Sequence, residues 1–154
     1  MSKIYPLKKL MLTAITALAL LNSAQAADAL KMELQANKVI KTAEGKTSYV
    51  PASNAKKGET VQYRATYTNV INQSINDVAV TLPIPANMIF TGEAKPANAQ
   101  ATVDGKTYAD MPLMRKVDNK WVKIPLSEYK ALRWNIKLLP ANKSADVSLN
   151  TLVN

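Results

Sequence analysis

Apolar and polar residues alternate with a period of two along most of this chain. From Thr60 to Val70 the sequence TVQYRATYTNV sets Val61, Tyr63, Ala65 and Tyr67 on one face and Thr60, Gln62, Arg64, Thr66 and Thr68 on the other. That is the pattern of a strand with one buried face. Asp77 to Leu82 follows the same rule, with Val78, Val80 and Leu82 inward, until Pro83 and Pro85 stop ladder pairing. Leu132, Trp134, Ile136 and Leu138 alternate with Arg133, Asn135 and Lys137, and Ala145, Val147, Leu149, Thr151 and Val153 mark a final strand. Leu30, Met32, Leu34 and Ala36, interleaved with Lys31, Glu33 and Gln35, predict a first one. Tyr63, Tyr67 and Trp134 fall on inward faces, which predicts core positions.

Polar turn chemistry separates these segments. Asn54–Gly58 and Asn72–Asn76 read as loops, Asp104-Gly105 as a strong two-residue hairpin signal and Asp118-Asn119 as a weaker one. Pro125-Leu126-Ser127-Glu128-Tyr129 suits one helical turn, and no other stretch holds a 3.6-residue period. Short alternating strands with so little helix predict an all-β fold, a single antiparallel immunoglobulin-like β-sandwich over residues 27–154.

Residues 1–26 carry a different pattern. MSKIYPLKKLMLTAITALALLNSAQA has Lys3, Lys8 and Lys9 near its start, a twelve-residue apolar run from Leu10 to Leu21, and small residues at Ala24 and Ala26. This is the three-part layout of a secretory signal peptide, with cleavage expected after Ala26. The apolar run is shorter than the ~20 residues that span a bilayer, so no membrane span is expected after cleavage. The expected localisation is exported: periplasmic, cell-surface or secreted.

Composition narrows the chemistry. The 154 residues include no Cys and no His, which excludes disulfides, Cys/His metal sites, Cys nucleophiles and imidazole bases. Gly45, Gly58, Gly92 and Gly105 are scattered, so no phosphate-cradling loop is present. Twenty Lys and Arg against eleven Asp and Glu give a formal charge of +9; with three Lys in the leader, the mature chain keeps seventeen basic and eleven acidic groups, or +6. That balance attracts anionic partners. The lysines are spread along the chain with no dense run, however, and a nucleic-acid partner is not expected.

Lys57-Gly58-Glu59-Thr60-Val61-Gln62-Tyr63, then Tyr67-Thr68-Asn69, then Val78-Ala79-Val80-Thr81-Leu82-Pro83-Ile84-Pro85-Ala86-Asn87-Met88 form a series that resembles the bacterial conserved-repeat domain known as domain of unknown function eleven. Leu132-Arg133-Trp134-Asn135-Ile136, through Leu139-Pro140-Ala141 to Val147-Ser148-Leu149, looks like the close of that domain. The resemblance covers residues 30–154 and implies an immunoglobulin-like fold in an exported protein. Thr81 stands where the family has Asp, and residues 93–128 are longer than the corresponding part of the common repeat. The family supplies no catalytic residues to carry over.

The acids fall in turns or on outward faces, the pattern of a solvated surface rather than of a paired-carboxylate hydrolase. Ser53-Asn54-Ala55-Lys56 has Ser-x-x-Lys spacing but lies in a loop, and the acids are too sparse for a calcium site. No catalytic residue, metal or cofactor is expected. The most informative segment is Leu113–Ile124, LMRKVDNKWVKI. A turn at Asp118-Asn119 sets Lys116 opposite Trp121 and Met114 opposite Lys123. Met114, Lys116, Trp121 and Lys123 then share one cationic face, a candidate ligand surface, while Leu113, Val117, Val122 and Ile124 share the other with Arg115 and Lys120.

Two readings of Trp121 stay open. Either neighbouring loops cover it, with the Lys stems laid over its ring, or it is an exposed platform that stacks on a sugar or base and attracts anions. The sequence thus predicts a non-enzymatic exported module of the bacterial cell envelope that binds another envelope protein or an anionic glycan. The alternative is a structural or assembly component of a surface appendage or layer, subunit or chaperone, that acts by strand addition at an open sheet edge.

Overall fold

In the computed structural model, which describes residues 28–154, the cleanest alternations become the longest strands. β1 (Leu30–Lys41), β2 (Thr47–Pro51), β3 (Thr60–Asn69), β4 (Ile75–Pro83) and β5 (Met88–Lys95) come first. They are followed by β6 (Gln100–Thr102), β7 (Ala109–Asp110), β8 (Met114–Val117) and β9 (Lys120–Lys123). A 3-10 turn at Leu126–Glu128 then leads into β10 (Ala131–Leu139) and β11 (Ser144–Val153). The expected signal peptide lies outside the described residues.

All strand pairings are antiparallel. They build two main sheets, β2-β1-β3-β11-β5 and β4-β10-β6-β7, and leave β8-β9 as a separate hairpin. The fold is therefore the antiparallel all-β single-domain sandwich that the alternation predicts, and its strand order is not the immunoglobulin-like one expected from the sequence. Its connections nest. β3 and β4 lie beside β11 and β10 respectively, which is the strand order of a jelly roll.

Nesting brings two crossings between the sheets to the same end, and Asn69 ties them together. Its side chain is fully buried. Nδ2 donates to the carbonyls of Gln73 at 2.7 Å, Leu139 at 3.0 Å and Pro140 at 3.1 Å, and Oδ1 accepts from the Ile71 N–H at 3.1 Å. Backbone that leaves a sheet buries polar groups without ladder partners, and one amide supplies those partners for both loops.

Between the sheets Val61, Tyr63, Ala65 and Tyr67 of β3 form one cluster with Val78, Val80 and Leu82 of β4, Leu132 and Trp134 of β10, and Val147 and Leu149 of β11. Each apolar side chain taken out of water in this way stabilises the fold by about 1.5–3 kcal/mol. The polar tip of Trp134 is paired as well, since its Nε1 donates to the Pro96 carbonyl at 2.8 Å.

Two local expectations change, and a third, weaker one holds. Alternation puts Leu138 inward, yet Leu138 is 55% exposed and Leu139 is 2% exposed. The pleat shifts phase opposite Asp77, whose φ of 52° interrupts the ladder: Ile136 pairs with Val78 and Leu138 with Asn76, with no pair between them. Asp104-Gly105 is not a two-residue hairpin loop but part of the 103–108 connection between β6 and β7. Asp104 Oδ1 accepts from the N–H groups of Lys106 and Thr107 and from the Thr102 hydroxyl, each at 2.8 Å. Those donors hold its carboxyl well below the usual range and wind the loop around the side chain. Asp118-Asn119, the weaker signal, is the true tight turn. Its φ values of 49° and 63°, with Val117 opposite Lys120, are those of a type I′ hairpin.

Candidate functional site

The tight turn fixes the register of β8 against β9. Lys116 lies opposite Trp121, Met114 opposite Lys123, and Arg115 opposite Val122. Residues directly opposite in an antiparallel pair share a face, with Cβ atoms about 4.5–5.5 Å apart. Met114, Lys116, Trp121 and Lys123 are thus brought together on one face, in the register that the sequence predicts.

Every residue of both strands is exposed. Trp121 is 67% exposed, so the open position is the one observed. The other face divides. Leu113 is buried and Ile124 packs against the core, whereas Val117 and Val122 face water. The hairpin therefore stands off the sandwich as an arm with a buried root.

Three contacts anchor that root. The Leu113 N–H donates to the Tyr129 hydroxyl at 2.8 Å, and the Ile124 N–H donates to the Leu113 carbonyl at 2.9 Å. The Tyr129 ring stacks on Phe90 of β5 with centroids 5.9 Å apart. Arg115 adds a bidentate grip, Nη1 to Glu128 Oε2 at 2.7 Å and Nη2 to Glu128 Oε1 at 3.0 Å, a geometry that orients as well as attracts. Sequence reasoning does not find Tyr129 or Glu128, because neither lies in a periodic segment. Glu128, three residues past Pro125 on a one-turn element, was the only signal available.

The arm's charge is uneven. Glu128 neutralises Arg115, while Lys116, Lys120 and Lys123 enter none of the ion pairs among the described residues. Lys116 and Lys123 thus share a face with an exposed indole and a thioether, and Lys120 stands on the opposite face. This surface can stack on a flat apolar ring, donate hydrogen bonds from the indole N–H, and attract negative charge.

No protein-family model, no curated protein and no solved structure matches the chain. The site is read from its own residues.

Glu33, Glu59 and Asp146 each sit in an ion pair. Lys31 lowers the Glu33 pKa, the Lys56 N–H and then Lys38 lower that of Glu59, and Arg64 and Thr66 lower that of Asp146. A general acid at neutral pH needs a shift in the opposite direction. Among the described residues no three or more acids gather into a metal-binding group.

Proposed function

We propose that this protein is an exported, non-enzymatic binding module of the bacterial cell envelope that holds an anionic glycan on the β8-β9 arm. The observation that carries this reading is Trp121, 67% exposed and fixed directly opposite Lys116. Water is an unfavourable environment for so large a ring, and stacking on a sugar removes apolar area from both partners. Lys116 and Lys123 on the same face supply positive charge for carboxylate, sulfate or phosphate groups along the same chain. The leader pattern in residues 1–26 supports export.

The test is titration of the mature protein with oligogalacturonate at low and high salt. Binding should weaken as salt screens the lysines. Trp121→Ala and the double change Lys116→Ala with Lys123→Ala should each reduce affinity by about tenfold, the scale of one stacked ring or of charge-assisted contacts. Affinity unchanged in both variants ends this reading.

Assembly by strand addition is the second reading. It is favoured by β4, a nine-residue outer strand whose far edge is unpaired among the described residues. Light scattering separates the two, since a polymer or a co-purifying subunit supports assembly and a monomer that retains the glycan supports binding.

A further inference from the structure

We infer that the outer face of the five-stranded sheet is a second binding site, built for an uncharged, hydroxyl-rich ligand such as a neutral oligosaccharide. The residues that alternate with the core positions of β1, β3 and β11 all point to this face. Asn37 lies directly opposite Gln62, and Gln62 directly opposite Asn150. Three amides therefore stand in a row across neighbouring strands, about 4.8 Å apart. The next row holds Gln35, Arg64, Ser148 and Lys95.

A groove of about 420 Å³ draws its lining from all five strands, with Gln62, Ser148 and Asn150 from the two central ones. This is the size range of small-molecule sites, ~300–1,000 Å³. One rim is Tyr49 on the edge strand β2, 48% exposed and opposite Val39. The other is a bulge in β5. Leu149 pairs with Ala94 and Thr151 with Phe90, so Thr91, Gly92 and Glu93 together face Asn150 alone. Gly92 turns there with a φ of 93° that other residues rarely adopt.

The chemistry of the lining selects the ligand. Each amide offers two donors and an acceptor, which match hydroxyl groups that both donate and accept. Tyr49 offers an apolar face at the edge for a sugar ring. Charge in the groove is mixed in sign, Glu93 against Lys41 and Lys95, with Glu93 Oε2 accepting from Asn150 Nδ2 at 2.6 Å. Lys41 and Lys95 stand on different strands, β1 and β5. No block of one sign is left to recognise a polyanion. A purely apolar ligand would bury the amides without partners. None of the lining residues belongs to the β8-β9 arm, so this site does not depend on the reading given to Trp121.

The test is a titration of the isotopically labelled mature protein with neutral linear hexaoses of glucose and xylose, followed residue by residue in NMR spectra. Saturable shifts at Tyr49, Gln62 and Asn150, with the Trp121 indole signal unmoved, are expected. Affinity should change less than about twofold between low and high salt, because no net charge is neutralised. Tyr49→Ala and Gln62→Ala, both changes at the sheet surface, should each weaken binding by about tenfold while the spectra keep their native dispersion. The absence of saturable shifts with every hexaose overturns the proposal, as do shifts centred on Trp121 or affinity that survives both substitutions. Oligogalacturonate binding on the arm reports at different residues, so failure at one site leaves the other standing.

Discussion

Truncating the two tryptophans one at a time separates the arm from the core. Trp134 is 2% exposed and its Nε1 bonds to the Pro96 carbonyl. Removing a buried aromatic side chain costs about 3–5 kcal/mol, and the stranded carbonyl adds about 1 kcal/mol. Against a total stability of about 5–15 kcal/mol for a domain, Trp134→Ala should shift the urea midpoint sharply or abolish folding. Trp121 is 67% exposed. Its substitution by Ala removes mainly the cross-strand contact with Lys116, worth about 0.2–1 kcal/mol. The assay is urea denaturation followed by circular dichroism. Fluorescence of Trp121→Ala adds a second readout, because the remaining Trp134 should emit as a shielded indole that iodide does not quench. A loss above about 2 kcal/mol in Trp121→Ala, the scale of core truncation, would refute the exposed arm. A mild effect in Trp134→Ala would break the register of β10.

Other expectations concern groups that the fold buries or strains. Tyr67 Oη is buried without a partner, so Tyr67→Phe should leave stability unchanged or raise it by up to about 1 kcal/mol; a clear loss in calorimetry contradicts this. Burial pushes the same hydroxyl from 10.0 up to about 12, which means that the folded state holds its proton more tightly than the unfolded chain. That stabilisation is whole below pH 10 and declines by roughly 2–3 kcal/mol as pH rises to about 12, and alkaline denaturation of Tyr67→Phe should lack this component. Asn69→Ala strands the carbonyls of Gln73, Leu139 and Pro140 and the Ile71 N–H, so urea titration should show a loss of about 3 kcal/mol or more. At Asn119, where φ is 63°, Gly should be neutral to within about 0.5 kcal/mol while Val should disrupt the turn. The readout is the cross-strand NMR contact between Lys116 and Trp121, kept in the first variant and lost in the second.

Strands that pack one face against the core are legible in the sequence because the other face meets water. β3, β4 and β11 show it plainly, and Val61, Val80 and Leu149 are all buried as their spacing requires. β2 gives no such signal, since Thr47, Ser48, Tyr49, Val50 and Pro51 are exposed on both faces. β5 is hidden for another reason: the bulge around Gly92 breaks the period in the middle of the strand. Leu138 and Leu139 exchange roles because Asp77, on a different strand, adopts a positive φ that no pattern within β10 records. At the candidate site, the turn residues Asp118 and Asn119 were enough to set which side chains share a face. Whether that face is covered depends on elements far along the chain. Alternation alone therefore left Trp121 undecided, and the grip of Arg115 on Glu128 unseen.

The exposed arm has a consequence for how such a sequence changes over generations. No residue of β8 or β9 is buried, so, Arg115 with its grip on Glu128 aside, substitutions there escape the filter of foldability that acts on β3 or β10. Selection on the arm is left to whatever the arm touches. A descendant can exchange Trp121 or Lys116 for other side chains, and so acquire a different partner, while the sandwich beneath is inherited unchanged.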